Sequence, residues 1–252
     1  MAKKIALVGF GDAPGTTTNI CHTAYVLSVK MGYKTLVVDC DPKCDATLFL
    51  DKTYDSNARN NIFGYLMSDF SHNECIAKTN YKNLDVLPGS YMVSTIRESG
   101  RYNFNVSNFE DNYDIILFDT SEKTHPQNEV FLRDTDYYIA IARPEMDFFI
   151  LETIEDFQID GYMFFDKSQF AGILFSRVLQ PEEFCKMYRK KVCDFFDGIA
   201  TYPFWDSIIQ ENISAISSFR DHTLLFDRTN SVRLTRNYYR AANEISEKIV
   251  NL

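Results

Sequence analysis

Ile5-Ala6-Leu7-Val8-Gly9-Phe10-Gly11-Asp12-Ala13-Pro14-Gly15-Thr16-Thr17-Thr18-Asn19 is the stretch on which the fold turns. A strand-like run, Ile5–Gly9, enters a glycine-bearing turn, and a helical run, Thr17–Met31, leaves it. Strand, tight turn and helix amino end form the geometry in which backbone N–H groups and the helix dipole hold an anion. Thr17 or Thr18 would supply the hydroxyl that ligates Mg2+ in loops of this kind. Alone the loop is a weak signal, because a βα turn with no ligand would look much the same.

Outward from it, short β-rich runs alternate with helical ones along the whole chain. Strands are predicted at Ile5–Gly9, Thr35–Asp39, Leu84–Leu87, Ile115–Asp119, Tyr138–Ala142, Ala171–Ser176 and Ile199–Tyr202. Their nearly continuous apolar character is that of parallel strands buried on both faces. Helices are predicted at Thr17–Met31, Pro126–Asp134, Phe149–Gln158, Pro181–Phe196, Ile208–Phe219 and Ser231–Val250. Gly32 suits the position just past the first helix, and Pro181 the opening turn of another. The polar segment Asp51–Tyr81, with one apolar knot at Ile62–Met67, reads as a surface excursion carrying a short helix. Such alternation specifies an α/β fold: a doubly wound, mostly parallel sheet of about seven strands with helices on both faces. Residues 1–252 read as one domain, with no repeat, low-complexity tract or linker.

The second strand adds chemistry to the loop. It ends Val37-Val38-Asp39-Cys40-Asp41-Pro42-Lys43-Cys44-Asp45-Ala46-Thr47. Carboxylates at the carboxyl end of a strand sit where α/β sheets bind ligands. Asp39 and Asp41 are two apart, so both point the same way while the strand persists. Taken by itself, the cluster reads equally as a solvated loop or a helix cap.

Read together, these residues resemble the deviant Walker family of ParA, Soj, MinD and the nitrogenase iron protein. That family places a KGGxGKTT loop after the first strand and D-x-D-P after the second. Here Thr17-Thr18 falls at the threonine pair, and Asp39-Cys40-Asp41-Pro42 matches D-x-D-P. Asn83-Leu84-Asp85-Val86-Leu87-Pro88 is similar to the family's N-L-D-x-x-P strand. Tyr113-Asp114-Ile115-Ile116-Leu117-Phe118-Asp119-Thr120 is similar to its Walker B strand. Arg143-Pro144-Glu145, Thr201-Tyr202-Pro203 and the tail from Phe226-Asp227 through Tyr239-Arg240-Ala241 continue the likeness in order.

The resemblance implies a site. Nucleotide, ATP or ADP with Mg2+, would lie across Gly11, Asp12, Ala13, Pro14, Gly15, Thr16, Thr17 and Thr18, with Arg177 and Pro203 near the base. Thr17, Asp41 and Asp119 would face the Mg2+, and Asp41 would position the attacking water in an active relative. The departures matter as much. In register, the Walker lysine position is Thr16 and the family's signature lysine position is Gly11, while Asp12 and Ala13 replace paired glycines. Two positive charges are lost, one negative charge is gained, and Pro14 deletes a backbone N–H from the cradle. Cationic clamps supply much of the rate enhancement in phosphoryl transfer, so hydrolysis is expected to be slow or absent. Lys43 and Lys123, in the switch-like loops, are the candidate replacement cations; solvated loop lysines are the favoured reading of both.

Two functions follow as expectations. One is a ParA-like partition or positioning protein, for plasmid or chromosome, working as a nucleotide-dependent homodimer with a protein adaptor or cargo partner. The alternative is a pseudo-ATPase scaffold or regulator that keeps the fold and binds a protein partner. Thr120-Ser121-Glu122-Lys123-Thr124-His125 holds no cysteine, which argues against the iron protein's shared cluster.

Composition bounds the remainder. Six cysteines in a chain that starts Met1-Ala2-Lys3-Lys4-Ile5, without an apolar leader, are expected to be reduced thiols in a cytoplasmic protein. Cys40 and Cys44 lack zinc spacing. The four histidines show no metal or triad spacing and are expected to be packed or at the surface. A net charge of −9 disfavours broad nucleic-acid binding. Arg233, Arg236 and Arg240, on one predicted helix face, are the DNA candidates, with a solvated charged face the favoured reading. Ile245, Ile249 and Leu252 at helical spacing, with few cations around them, point to packing of the tail on the domain and not to membrane insertion.

Overall fold

The computed structural model describes residues 1–9, 15–55, 57–97, 101–120, 126–143, 167–183, 204–228 and 232–251. Within them six predicted strands form in place, β1 (Lys3–Gly9), β2 (Thr35–Asp39), β4 (Leu84–Leu87), β5 (Ile115–Asp119), β6 (Tyr137–Ala142) and β7 (Phe170–Val178). Two that were not foreseen join them, the two-residue β3 (Ala77–Lys78) and β8 (Phe204–Gln210). They join one sheet in the order β3-β4-β2-β5-β1-β6-β7-β8, eight strands against the seven or so expected. Every pairing is parallel except β3 with β4, so β3 is an antiparallel edge.

Side-chain alternation sorts the core into two layers. Ala6, Val8, Leu36, Val38, Ile116 and Phe118 pack on one face. That layer is closed by the buried aromatics Phe104, Phe109 and Phe131. Ile5, Leu7, Val37, Ile115 and Leu117 face the other way. There they meet α1 (Thr16–Tyr25), α2 (Asp45–Leu50) and the C-terminal α9 (Val232–Ile245). The excursion after α2 forms α3 (Ile62–Leu66) and α4 (His72–Cys75), the second of which was not foreseen. α5 (Ser107–Glu110) and α6 (Pro126–Leu132) precede β5 and β6. α7 opens at Pro181 as expected, over Pro181–Glu183, and the rest of the predicted helix lies outside the described residues. The predicted helix Phe149–Gln158 and strand Ile199–Tyr202 lie outside them as well.

The last strand corrects the sequence reading. Residues 208–210 belong to β8, and the following helix, α8, spans Ile213–Arg220 instead of starting at Ile208. The cause is physical: β8 is an edge strand with period-two burial. Trp205, Ser207 and Ile209 are buried, while Asp206 is exposed and Ile208 and Gln210 are partly so. A search for continuous apolar runs passes over such a strand.

α9 covers this edge. Glu244 accepts the backbone N–H groups of Asp206 (2.9 Å) and Ser207 (2.7 Å), and Lys248 Nζ pairs with the same carboxylate at 2.9 Å. Ile245 and Ile249 are buried in the α1-side layer, so the tail packs on the domain. No helix among the described residues is long and apolar enough to cross a membrane.

His22 fastens α1 to the C-terminal region. Its Nδ1 lies 2.7 Å from the Thr18 carbonyl, and its Nε2 accepts the Leu225 N–H at 2.9 Å. The ring stacks on Tyr238, centroids 4.7 Å apart. One acceptor and one donor on opposite nitrogens select the neutral Nδ1–H tautomer. Burial pushes the imidazole down to about 4, against which the Thr18 hydrogen bond works only in part. A depressed folded pKa gives stability that is complete above the unfolded value near 6.5 and lost as pH falls towards 4. That stability amounts to roughly 3 kcal/mol. His22→Gln is therefore expected to be less stable than the parent at neutral pH by about 2 kcal/mol. The gap should close towards about pH 4 in urea titrations; a gap that stays constant with pH contradicts this role.

Candidate functional site

The site grows from the carboxyl ends of β2 and β5, which are neighbours in register, Asp39 opposite Asp119. Asp119 also pairs in register with Leu7 of β1. By alternation both carboxylates share the side of Val37 and Leu117, the face covered by α1 and α2. Both are fully buried.

Their surroundings differ. Asp39 is well bonded: Thr47 donates its N–H (2.8 Å) and hydroxyl (2.6 Å) to Oδ2, and the Asp41 N–H reaches Oδ1 at 3.2 Å. Burial nonetheless pushes the Asp39 carboxyl up to about 7, with Asp41 adding to the rise. Thr47 Oγ1 in turn accepts the Gly89 N–H at 2.8 Å. A Cβ at Gly89 would stand 2.8 Å from the Asp39 carboxyl carbon and 3.0 Å from Cys44 Sγ, so only glycine fits there.

Asp119 is the reverse case. Neither of its carboxylate oxygens has a hydrogen-bond partner among the described residues. Burial drives its pKa well above the ordinary carboxylate value, and the charges of Asp39 and Asp41 drive it further. The nearby Thr17 hydroxyl offsets only part of this. An ionised carboxylate without a partner in a dry site costs several kcal/mol, on the order of what a domain can spare.

α1 supplies the positive end of a dipole to the same place. Gly15, at φ 86, turns the chain in a left-handed conformation that leads directly into Thr16. The first intrahelical bond runs from the Asn19 N–H to the Gly15 carbonyl at 2.9 Å. The N–H groups before it have no acceptor inside the helix. Thr16 and Thr18 are buried, and Thr17 is partly exposed. Asn19 Nδ2 donates to Ser176 Oγ at 2.9 Å, which ties the helix start to the end of β7.

The predicted site residues thus sort as follows. Gly15, Thr16, Thr17, Thr18 and Asp119 come together around the end of β5. β2 stops at Asp39, so the alternation expected to carry Asp41 the same way ends there. Asp41 sits in the next turn, its Oδ1 accepting the Lys43 N–H at 2.9 Å. Lys43 is exposed. Gly11, Asp12, Ala13, Pro14 and Lys123 lie outside the described residues.

Pro203 is also outside them. Phe204 opens β8, paired with Ile173. The carboxyl end of that strand is Gln210, opposite Val178, followed by Glu211. Arg177 does reach the α1 side: its Cδ lies 3.9 Å from where a Cβ on Gly15 would be. Its guanidinium pairs with Glu211, Nη2 at 2.7 Å. Arg236 and Arg240 are exposed on α9, as expected for one helix face, and the Arg233 side chain lies outside the described residues.

Sequence reasoning gave Thr47, Gly89 and Glu211 no role. Thr47 and Gly89 act eight and fifty residues from the carboxylate they serve, and no local pattern marks that.

Among the described residues no group of three or more His, Cys, Asp or Glu side chains is placed to hold a metal ion. The donors here are one or two carboxylates and a hydroxyl, the set that suits Mg2+ when phosphate and water complete its shell.

A mostly parallel sheet with a glycine turn at the first helix and acids at two strand ends defines the P-loop NTPase fold. Residues 2–158 match a family model described as an AAA domain. A ParA family protein of the virulence plasmid of Chlamydia psittaci, pGP5-D, is 25% identical over 152 residues. That match covers 57% of this chain and 58% of the relative, so the chain spans little more than half the length of that protein. Among solved structures, a plasmid partition protein of Borrelia burgdorferi B31 bound to AMPPNP superposes with a TM-score of 0.75 at 17% identity. It covers 99% of this chain and 100% of that one. The septum site-determining protein MinD of Pyrococcus horikoshii OT3 complexed with Mg-ADP gives 0.73 at 17% identity, over 98% and 97%. The chain belongs to the ParA/MinD family of P-loop ATPases.

The Asp119 burial has a thermodynamic signature. A folded-state pKa above the unfolded value gives stability that is present below about pH 4 and lost as pH rises. Asp119→Asn is therefore expected to stabilise the ligand-free protein by about 1–3 kcal/mol at neutral pH, with a smaller gain at about pH 4. Thermal melts of both proteins across pH check this; an equal loss at every pH would contradict it.

Proposed function

We propose that this chain binds a nucleoside polyphosphate together with Mg2+ at the amino end of α1 and acts as a dimeric switch in partition or positioning, with hydrolysis slow or absent. The observation that carries the reading is Asp119: a fully buried carboxylate with only the Thr17 hydroxyl beside it among the described residues, next to the dipole end of α1. A scaffold that had abandoned its ligand gains nothing from keeping such a charge, and burial selects against it. The Mg2+ bound by the family's nucleotide neutralises phosphate charge and would be held from Thr17 and Asp119.

Each residue then has a task. The N–H groups at the start of α1 point at the polyphosphate. The Thr17 hydroxyl and the Asp119 carboxylate share the cation side. Asp39, fixed by Thr47 and Gly89, orients the turn that presents Asp41, the candidate for holding a water. What the site lacks is equally specific: no lysine or arginine occurs between Gly9 and Asn19. Transition-state charge on the phosphoryl group is therefore poorly opposed, and binding outlasts chemistry. The relatives named for plasmid partition and septum-site determination support a role in partition or positioning. The working form in this reading is a cytoplasmic homodimer that acts through a protein adaptor or cargo partner. Non-specific DNA contact through Arg233, Arg236 and Arg240 is not part of this reading, since the net charge of −9 opposes it.

Calorimetry with Mg-ADP and Mg-ATP, paired with light scattering, tests the proposal. Binding of both and dimer formation with ATP are expected, with binding weakened at least tenfold by Asp119→Ala. Absence of binding and of a ligand-dependent dimer would sink the switch. Turnover should be undetectable in the parent and rise in the Gly11→Lys/Thr16→Lys protein. Turnover in the parent that Asp41→Ala abolishes would refute the slow-hydrolysis claim.

A further inference from the structure

The loop between β1 and α1 carries no cation, yet the structure brings one to its helix from another strand. In a regular β-strand Ser176 and Arg177 would face opposite sides of the sheet. Here both lie against Gly15: Ser176 Oγ is 3.6 Å, and Arg177 Cδ and Cγ are 3.9 and 4.0 Å, from the position of a Cβ on that glycine. The core layers show the same break. Ile173 and Phe175 belong to the layer away from α1, and so does Val178, three residues on instead of two. A bulge at Arg177, φ 59, accounts for it, and the β7–β8 register shifts on both sides of Phe175. Bulges re-aim side chains next to functional sites.

The guanidinium is held in reserve by Glu211. Arg177 Nε and Nη2 both donate to one oxygen, Oε1, at 3.2 and 2.7 Å. Glu211 is itself anchored through its N–H to the Val178 carbonyl at 2.9 Å. Both side chains are only partly exposed, so the pair is partly shielded from bulk water.

The geometry points to Arg177 as the cation of the polyphosphate site: a charge delivered from β7 in place of the loop lysine, with Glu211 competing against phosphate for it. This rests on the nucleotide reading above and deepens it. A guanidinium offers planar, paired donors suited to phosphate oxygens. From its stem beside Gly15 it serves the diphosphate nearest the helix, so Mg-ADP is the probe. The same placement leaves binding strong and turnover weak, because the charge does not come from the loop that wraps the transferring group.

Calorimetric titration of Mg-ADP into the full chain tests this with three substitutions. Arg177→Gln is expected to weaken binding about tenfold or more, and Arg177→Lys to recover part of the loss. Glu211→Gln, which removes this ion pair, is expected to tighten binding several-fold, whereas Arg177→Gln should make binding less dependent on salt. Binding by Arg177→Gln equal to that of the parent would overturn the assignment while leaving the Asp119-dependent site intact. A parent that binds no nucleotide would overturn both. Should Arg177→Gln fail to melt cooperatively, Glu211→Gln decides: an affinity unchanged or lowered contradicts the competition.

Discussion

Two carboxylates, Asp39 and Asp119, are buried side by side at the ends of adjacent parallel strands, and the surrounding structure is an answer to their charge. Like charges in a low-dielectric site oppose each other's ionisation, and burial opposes both. Asp39 is answered inside the protein by Thr47, the Asp41 N–H and the close approach of Gly89. Asp119 is left unanswered among the described residues. The difference separates a structural acid, which organises the turn after β2, from an acid to which the proposed function gives a ligand.

That asymmetry gives the altered loop its meaning. In a site built for a triphosphate, cations and helix N–H groups balance ligand charge. Here the sequence between Gly9 and Asn19 holds no lysine or arginine and includes Asp12. The helix end, the Thr17 hydroxyl and the acid at the end of β5 are retained. Under the proposed function, a loop without these charges would uncouple holding a nucleotide from cutting it. A switch of that kind would change state by ligand exchange, its residence time set by release.

Much of this was legible in the sequence, for reasons that also explain the gaps. Strands such as Thr35–Asp39 and Ile115–Asp119 are nearly continuously apolar because both faces are covered, and such runs announce themselves. The acid at the end of each is conspicuous for the same reason. β8 was missed because an edge strand alternates Trp205, Ser207 and Ile209 with polar neighbours, and its Asp-Ser pair mimics a helix start. Arg177 was assigned to the nucleotide but its means of reaching α1, a bulge that turns two consecutive residues the same way, leaves no mark in composition or spacing. Gly89 and Thr47 are long-range partners of one carboxylate, invisible to any window along the chain.

Anomalous diffraction from crystals grown with Mn2+ and ADP tests the central claim most directly, since manganese replaces Mg2+ and reports its own position. The account predicts a single manganese peak in contact with the Asp119 carboxylate side of β5 and the Thr17 hydroxyl, with the diphosphate on the α1 amino end. Manganese bound elsewhere, or nucleotide bound with Asp119 still without a partner, would contradict it.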